Sequence, residues 1–389
     1  MSKMHALTGN EAAAYAMKQI DPDVVPAYPI TPQTELMQTF AQYVADGAVQ
    51  TEMILVESEH SAMSAGVGAS AAGARVMIAT SANGLALMWE IVYITASSRL
   101  PIVMAVVNRA LSGPINIHAD HSDSMGCRDA GWIQIYSENC QEVYDNMVQA
   151  LRIAEHKDIL LPVMSTHDGF IISHTVERVD ALEDEEVKKF VGEYKSLYPL
   201  LDVSKPVTYG PLDLQDYYFE HKKQQAEAMK NAKRVILEVG KEYGELSGRS
   251  YGFFDEYYTE DAEYIVIALG SAAGTAKAAV DDLRAMGKKV GVIKLRVFRP
   301  FPAPELVQAL SNAKAVAVLD RSEGFSGIGG PVFQEVRSAL YRKADMPVSG
   351  YVYGLGGRDI TPEMIAGVFG DLKDGRIHED EAFHLGVRE

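Results

Sequence analysis

The hydrophobic pattern of the chain consists of short apolar runs that alternate with longer amphipathic segments. The clearest run, Ile102–Val107, contains only apolar residues and is rich in Val. A run this short, without polar alternation, predicts a strand that is buried on both faces of a parallel sheet. Further strand-like runs lie at 24–27, 53–56, 76–80 and 159–165. Five strands that alternate with helical segments predict a doubly wound α/β domain.

The pattern changes between about residue 180 and residue 258, where Glu, Lys, Tyr and Gln dominate and a long charged helix is predicted at 216–239. Strand-like runs then return, at 264–269, 290–295 and 315–319. Because 389 residues are too many for one ordinary core, we predict two domains, at 1–245 and 246–389. The charged segment is interpreted as an excursion that joins the domains and is available to clasp a partner chain.

Polar residues follow the strand Ile102–Val107 directly. Asn108 and Arg109 stand at its carboxyl end, where ligands bind in open α/β sheets. The next loop, 112–129, is dense in charged and polar residues, which favours a pocket. In that pocket the Arg109 guanidinium would receive a small carboxylate through two hydrogen bonds. A surface connection with a solvated arginine is the alternative.

Two other turns are candidates for binding. The segment Tyr28–Pro32, YPITP, contains two prolines, which forbid helix and central strand and leave a rigid extended turn that presents Tyr28 and Thr31. The polar turn Ser81–Gly84 follows a strand and precedes a helix, a common ligand-binding arrangement.

In the loop 112–129, two histidines and an aspartate could ligate a metal by type, but their spacing favours a hydrogen-bonded loop instead, so we predict no metal site.

Glu59 begins a segment, 61–74, made almost entirely of Ala, Gly and Ser. Such a helix packs closely on its neighbours, so we expect it to be buried, together with the acid at its start. A buried carboxyl group keeps its proton more readily than an exposed one. The alternative is an ordinary acid at a helix amino terminus, which readily accounts for one of Glu57 and Glu59 but not for both.

Composition narrows the class of protein. The net charge of −17 argues against nucleic acid or an anionic membrane as partner. Cys127 and Cys140 are too few to ligate an iron–sulfur cluster, which needs four thiolates. The first residues lack the apolar core of a signal peptide, and no run approaches the roughly 20 apolar residues of a membrane span. We expect a soluble cytoplasmic protein with reduced thiols.

Six motifs, in order along the chain, resemble those of the 2-oxoacid:ferredoxin oxidoreductases, in particular the alpha chains of the multi-subunit pyruvate enzymes. They are YPITP at 28–32, VESEHSA at 56–62, NRALSGPINI at 108–117, DHSD…RD.GWIQ at 120–134, RVFRPFP at 296–302 and GLGGRDIT at 354–361. The resemblance covers nearly the whole chain. It implies a pyrimidine-type thiamine diphosphate-binding domain followed by a transketolase C-terminal-like α/β domain.

The resemblance also implies an activity and its partners. Such a complex oxidatively decarboxylates pyruvate to acetyl-CoA and CO2, with coenzyme A as co-substrate, and passes the electrons to ferredoxin. Thiamine diphosphate would be shared with a beta subunit. Mg²⁺ and the 4Fe-4S clusters would lie on partner subunits, which include gamma and delta chains or domains.

Residue roles follow from the same motifs. Glu59 matches the glutamate that hydrogen-bonds the pyrimidine ring nitrogen, and Thr31 and Arg109 match the residues that meet the substrate. The resemblance implies catalytic roles for these three, a substrate contact for Asn108, and further cofactor contacts at Tyr28, Pro29, Ile30, Ser81 and Asn83.

The chain departs from the family pattern at two places. TSANG at 80–84 replaces the more familiar TSSQG, and Gly113, His118 and Ala119 replace Ala, Trp and Asn of many pyruvate enzymes. Two alternatives therefore stay open. One is a relative specific for branched-chain or aryl 2-oxoacids, and the other is a non-catalytic scaffold subunit with a vestigial thiamine pocket.

Overall fold

The computed structural model describes residues 3–388. The first part of the chain contains strands and helices in the order β1 (Lys3–Leu7), α1 (Gly9–Ile20), β2 (Val24–Ala27), α2 (Thr34–Ala45), β3 (Glu52–Leu55), α3 (Glu59–Ala72), β4 (Met77–Thr80), α4 (Ala82–Leu87), α5 (Trp89–Ser97), β5 (Val103–Asn108), α6 (Ser122–Gly126), β6 (Ile133–Tyr136), α7 (Cys140–Ala154), β7 (Val163–Asp168), β8 (Glu177–Ala181), α8 (Asp184–Val191) and α9 (Tyr218–Ser247).

The second part is shorter and more regular. It continues with β9 (Phe254–Tyr257), β10 (Tyr264–Ala268), α10 (Ala272–Ala285), β11 (Val290–Leu295), β12 (Val297–Arg299), α11 (Ala303–Ala309), β13 (Ala315–Asp320), α12 (Pro331–Leu340), β14 (Val348–Tyr353), α13 (Pro362–Asp374) and β15 (Phe383–Leu385). None of the described helices is both long and apolar enough to cross a membrane.

The first sheet is parallel over most of its width. Its strand order is β12-β6-β7-β5-β4, and a single bridge between Val24 and Val76 connects β4 to the parallel pair β2-β3. All six residues of β5 are buried, which confirms the prediction of a core strand. Apolar clusters cover both faces, with α1, α7 and α9 on one side and α3 and α5 on the other. The prediction of an α/β fold is therefore confirmed.

The second sheet has the order β15-β14-β13-β10-β11-β9 and is parallel except for β9 at one edge. Helices α11 and α12 cover one face and α10 and α13 the other. Strand β12 leaves this half of the chain and pairs antiparallel with β6, at the edge of the first sheet. Sequence reasoning did not foresee that exchange, because the pairing joins segments more than 160 residues apart.

Several predicted local features need correction. The helix expected from Leu85 begins at Ala82 and is divided at Met88, because the turn before it is shorter than predicted. The loop 112–129 contains the short helix α6. Helix α3 is buried along one side only, and Gly68 is exposed on the other, which no element within residues 3–388 covers.

The charged segment 180–258 is not simply an excursion. Helix α9 packs on α7 and α5, and Val235, Ile236 and Val239 are buried in the core of the first sheet. Each such aliphatic side chain stabilises the fold by about 1.5–3 kcal/mol. The prediction was wrong for this helix because its many charged residues hide a narrow apolar stripe. The stretch before it, 197–219, is more exposed.

Candidate active site

Arg109 lies at the carboxyl end of β5 and is 7% exposed. Its Nε donates to the carbonyl oxygen of Asn116 at 3.0 Å, and its Nη1 donates to that of Thr31 at 2.9 Å. Among residues 3–388, no atom accepts a hydrogen bond from Nη2. Two backbone carbonyls therefore fix the guanidinium plane, and the end that carries Nη2 is left to receive an anion.

The turn at 28–32 is held from behind. Gln33 is buried, and its side chain accepts from the Ile30 N–H at 3.2 Å and donates to the carbonyl of Ala79 at 3.2 Å. Asn10 donates to the carbonyl of Pro32 at 2.8 Å. The rigid turn that the two prolines predict is thus anchored to helix α1 and strand β4.

The four candidate residues in this turn differ in exposure. Tyr28 and Ile30 are partly buried, whereas Pro29 and Thr31 are exposed. The backbone carbonyl of Thr31 is already engaged by Arg109, so its hydroxyl is the group that remains for a ligand. The structure thus places the turn beside Arg109.

Glu57 and Glu59 differ sharply in environment. Glu57 is exposed and accepts a hydrogen bond from the Ser61 hydroxyl. Glu59 is 7% exposed, and no group in the described part of the chain hydrogen-bonds its carboxyl. A Cβ on Gly84 would lie 2.8 Å from Glu59 Oε1, so only glycine there permits this close approach. The predicted burial of Glu59 is confirmed, and Glu57 is the ordinary helix-start acid.

Three polar side-chain atoms near Glu59 and Arg109 are buried without a hydrogen-bond partner. They are Thr80 Oγ1, Ser81 Oγ and Asn108 Oδ1. Buried polar atoms are normally satisfied, because an unpaired one costs about 1–3 kcal/mol. Their clustering at the carboxyl ends of the adjacent strands β4 and β5 indicates a site for a polar ligand.

Asp123 connects these elements and is 3% exposed. Its Oδ2 accepts from the backbone N–H groups of Ala82 and Arg109, each at 3.0 Å. Its Oδ1 accepts from Asn108 Nδ2 at 2.8 Å and from the Ser124 N–H at 2.7 Å. For the aspartate of this loop the sequence favoured a hydrogen-bonded role over metal ligation, and these four hydrogen bonds agree with that prediction. The connection that Asp123 makes between the ends of β4 and β5 was not predicted.

Asn83 is the candidate residue whose surroundings support a ligand contact least. It is exposed, and its Oδ1 accepts from the N–H and the hydroxyl of Ser112 at 3.2 and 3.0 Å. Its amide nitrogen alone remains for a ligand. The neighbouring Ser81 is buried and retains a free hydroxyl.

A second buried network joins the two sheets. His121 Nε2 lies 2.6 Å from Asp168 Oδ1, and Asp168 Oδ2 accepts from the Ser271 N–H at 2.9 Å. Burial alone would raise the pKa of Asp168, but the neighbouring Arg321 and His121 hold that pKa below its usual range. Asp168 pairs with Asn108 across β5 and β7, so this network supports the back of the site.

Three carboxylates, of Glu138, Glu142 and Asp255, lie close enough together to share a metal ion. Two ammonium groups already pair with them. Lys294 Nζ lies 3.3 Å from Asp255 and contacts Glu142, and Lys277 Nζ lies 2.6 Å from Glu138. We interpret this cluster as a structural ion-pair network.

Comparison with known families agrees with this arrangement. Residues 15–241 match the model of the thiamine diphosphate-binding domain of pyruvate flavodoxin/ferredoxin oxidoreductases. The chain belongs to this family. Residues 262–365 match core domain II of the pyruvate:ferredoxin oxidoreductases.

Curated members of the oxidoreductase family align over nearly the full length. The pyruvate synthase subunit PorA of Thermotoga maritima is 61% identical and covers 99% of this chain and 98% of its own. The ketoisovalerate oxidoreductase subunit VorA of Pyrococcus horikoshii is 45% identical, with 97% of each chain covered. These relatives are named as subunits, which implies that this chain works in a multi-subunit complex.

Solved structures show the same fold. The 2-oxoglutarate:ferredoxin oxidoreductase of Magnetococcus marinus superposes with a TM-score of 0.75 at 20% identity; 95% of this chain is covered, and this chain spans 65% of the length of that one. A split-gene transketolase superposes with a TM-score of 0.55 at 13% identity, with 94% of each chain covered. The predicted transketolase-like architecture is confirmed.

Proposed function

We propose that this chain is the alpha subunit of a pyruvate:ferredoxin oxidoreductase and supplies the pyrimidine half of a thiamine diphosphate site. The observation that carries the proposal is the buried, unpartnered carboxyl of Glu59 at the edge where Thr80, Ser81 and Asn108 keep unsatisfied polar atoms. The 61% identity to a pyruvate synthase subunit supports pyruvate as the substrate.

The residues at this edge fit the cofactor. When bound, thiamine diphosphate supplies the carbanion chemistry of decarboxylation. Glu59 would hydrogen-bond the pyrimidine ring nitrogen and exchange a proton there. Because Glu59 is buried, little water would compete for that hydrogen bond. Gly84 leaves room beside that carboxyl. The remaining proposed contacts are the hydroxyl of Ser81, the amide of Asn83 and the turn residues Tyr28, Pro29 and Ile30.

The proposed substrate contacts lie at the ends of β5 and of the proline turn. The free Nη2 end of Arg109 would bind the carboxylate of a 2-oxoacid, and its fixed guanidinium plane would orient that carboxylate. The Thr31 hydroxyl would donate to the keto oxygen. Asn108, whose Nδ2 already donates to Asp123 and Ser124, keeps its Oδ1 as an acceptor for the proposed ligand contact. Glu59, Thr31 and Arg109 are thus the proposed catalytic residues.

The remaining chemistry is assigned to partners. The two cysteines are buried and unpaired, so we propose that Mg²⁺ and the 4Fe-4S clusters lie on beta, gamma and delta subunits, with coenzyme A as co-substrate and ferredoxin as acceptor. The free thiols suit a cytoplasmic location.

Viologen reduction by the purified complex tests this function. With thiamine diphosphate and coenzyme A present, pyruvate should drive viologen reduction, and the isolated chain, which lacks clusters and half of the site, serves as the inactive and colourless control. Failure of every 2-oxoacid in a panel would contradict the proposal. If 2-oxoisovalerate is clearly preferred, the substrate assignment is wrong and the branched-chain alternative, with which the VorA similarity is consistent, is correct.

A further inference from the structure

We propose that Asp123 is a positioning residue, which fixes the cofactor-side turn after β4 and the substrate-side end of β5 relative to each other. The inference rests on the proposed function, because it assigns Asp123 to the same site. Asp123 itself is not proposed to touch cofactor or substrate.

The first argument is geometric. The Asp123 carboxylate accepts from donors at two separate strand ends, at 2.8–3.0 Å, and from the N–H of its neighbour Ser124 at 2.7 Å. Ala82 lies between Ser81 and Asn83, the proposed cofactor contacts, and the other donors include the backbone of Arg109 and the side chain of Asn108. Because one rigid carboxylate holds both groups, a change at Asp123 displaces both halves of the site together.

The second argument is backbone strain. Ala82 has a φ of 39°, in a region that residues with a Cβ rarely adopt. Such a conformation persists only where the surroundings fix it, and it concentrates at functional sites. The hydrogen bond from the Ala82 N–H to Asp123 is the contact that fixes it. Asp123 therefore maintains a strained turn beside Glu59 and Gly84.

The third argument concerns ionisation. Burial raises the pKa of Asp123 to about 6, against the four hydrogen bonds that lower it. The charged or titratable groups around it are Arg109, Asp120, His121, Cys127 and Tyr136, whereas α4 and β5, which pack on its helix, carry none. Protonation of Asp123 places a hydrogen on a carboxylate oxygen that already accepts from two N–H groups, so those hydrogen bonds are weakened. The bracing therefore weakens as the pH falls through about 6.

The test compares Asp123→Asn with Asp320→Asn in the purified complex. Asp320 is a matched control, since it is 1% exposed and accepts from the N–H groups of Val332 and Phe333 at 2.9 and 3.0 Å, in the second sheet. Both variants should lower the unfolding temperature. Asp123→Asn alone should also raise the KM for pyruvate and the calorimetric Kd for thiamine diphosphate, each about tenfold.

Two outcomes would overturn the inference. One is an Asp123→Asn complex that is less stable but has the KM and the cofactor Kd of the parent. The other, which needs no variant, is a parent KM for pyruvate that stays flat as the pH falls through about 6, where we expect a rise. A parent complex that reduces no viologen with any 2-oxoacid would instead contradict the proposed function, so the two failures are distinguishable.

Discussion

Two buried polar clusters beside the first sheet differ in how completely their hydrogen bonds are satisfied. Asp145 on α7 is fully buried and accepts from the hydroxyls of Tyr243 and Tyr251 at 2.5 and 2.6 Å and from Arg249 at 2.7 and 2.8 Å. At the ends of β4 and β5, by contrast, Thr80, Ser81 and Asn108 each keep a buried polar atom without a partner in the described chain. The first cluster holds α9 and the segment after it on α7, and the second is the proposed cofactor site.

The difference shows how to separate structural from functional polar groups. Both clusters have a buried acid near helices and strands, and burial alone does not distinguish them. Satisfaction separates these two, because a fold stabilises itself by pairing its buried polar atoms, and several unpaired atoms grouped at the carboxyl ends of adjacent strands favour a ligand site. The four predictions below act on one cluster or the other.

The largest effect is expected from Glu59→Gln. The amide keeps the shape of the side chain but cannot exchange a proton, so turnover of the complex should fall by about two to four decades. Glu57→Gln is the matched control, since Glu57 begins the same region but is exposed, and it should stay within a few-fold of the parent. Equal turnover in the two variants would show that Glu59 is only a helix-start acid.

Arg109→Met should cost about 2–5 kcal/mol in kcat/KM for pyruvate, because it removes the partner of a buried carboxylate. Arg109→Lys should lie between the parent and the Met variant, since it keeps the charge but loses the fixed plane. Steady-state kinetics with viologen measures both, and cofactor binding should be nearly unchanged. If the Met complex fails to assemble while its residual fraction has normal kinetics, the arginine is structural.

Tyr243→Phe addresses the satisfied cluster. Loss of one hydrogen bond to the buried Asp145 carboxylate should destabilise the chain by about 1.5–3 kcal/mol, measured by thermal or denaturant unfolding. The KM for pyruvate should not change, because this cluster contacts neither β4 nor β5 through hydrogen bonds. A change in the KM for pyruvate without loss of stability would show that the Asp145 cluster serves function and not the fold, which contradicts the distinction between the two clusters.

Thr80→Val is the smallest and most specific change. The Thr80 hydroxyl has no partner in the described chain, so its replacement by a methyl group should leave the cofactor-free protein equally stable or up to about 1 kcal/mol more stable. The same change should weaken cofactor binding a few-fold. A clear loss of stability with unchanged binding would indicate that the hydroxyl serves the fold.

The features that depend on a local sequence pattern could be predicted from the sequence. The run at 102–107 identified the central strand, and Thr8 and Glu11 form a capping box on α1, which their spacing in the sequence indicates. The small-residue helix correctly indicated a buried Glu59. Such features follow from the periodicity, capping and packing of a single segment.

Features that depend on distant segments could not be predicted. The pairing of β12 with β6 and of β1 with β8 joins residues far apart in the chain. Asp123 accepts hydrogen bonds mainly from backbone N–H groups, which every residue except proline carries. The types of its partner residues therefore give no indication of these contacts in the sequence. The apolar stripe of α9 is hidden among charged residues in the sequence. Its burial became visible only once the structure placed α9 against α7 and α5.

Equilibrium binding of thiamine diphosphate to the cofactor-free complex tests the central claim most directly. The parent and Glu57→Gln complexes should bind one cofactor per alpha chain with the same Kd. Glu59→Gln should bind about tenfold or more weakly, because a buried hydrogen bond to a charged or proton-sharing group is lost. Indistinguishable Kd values for all three complexes, or no saturable binding by the parent, would contradict the assignment of the β4–β5 edge as half of the cofactor site.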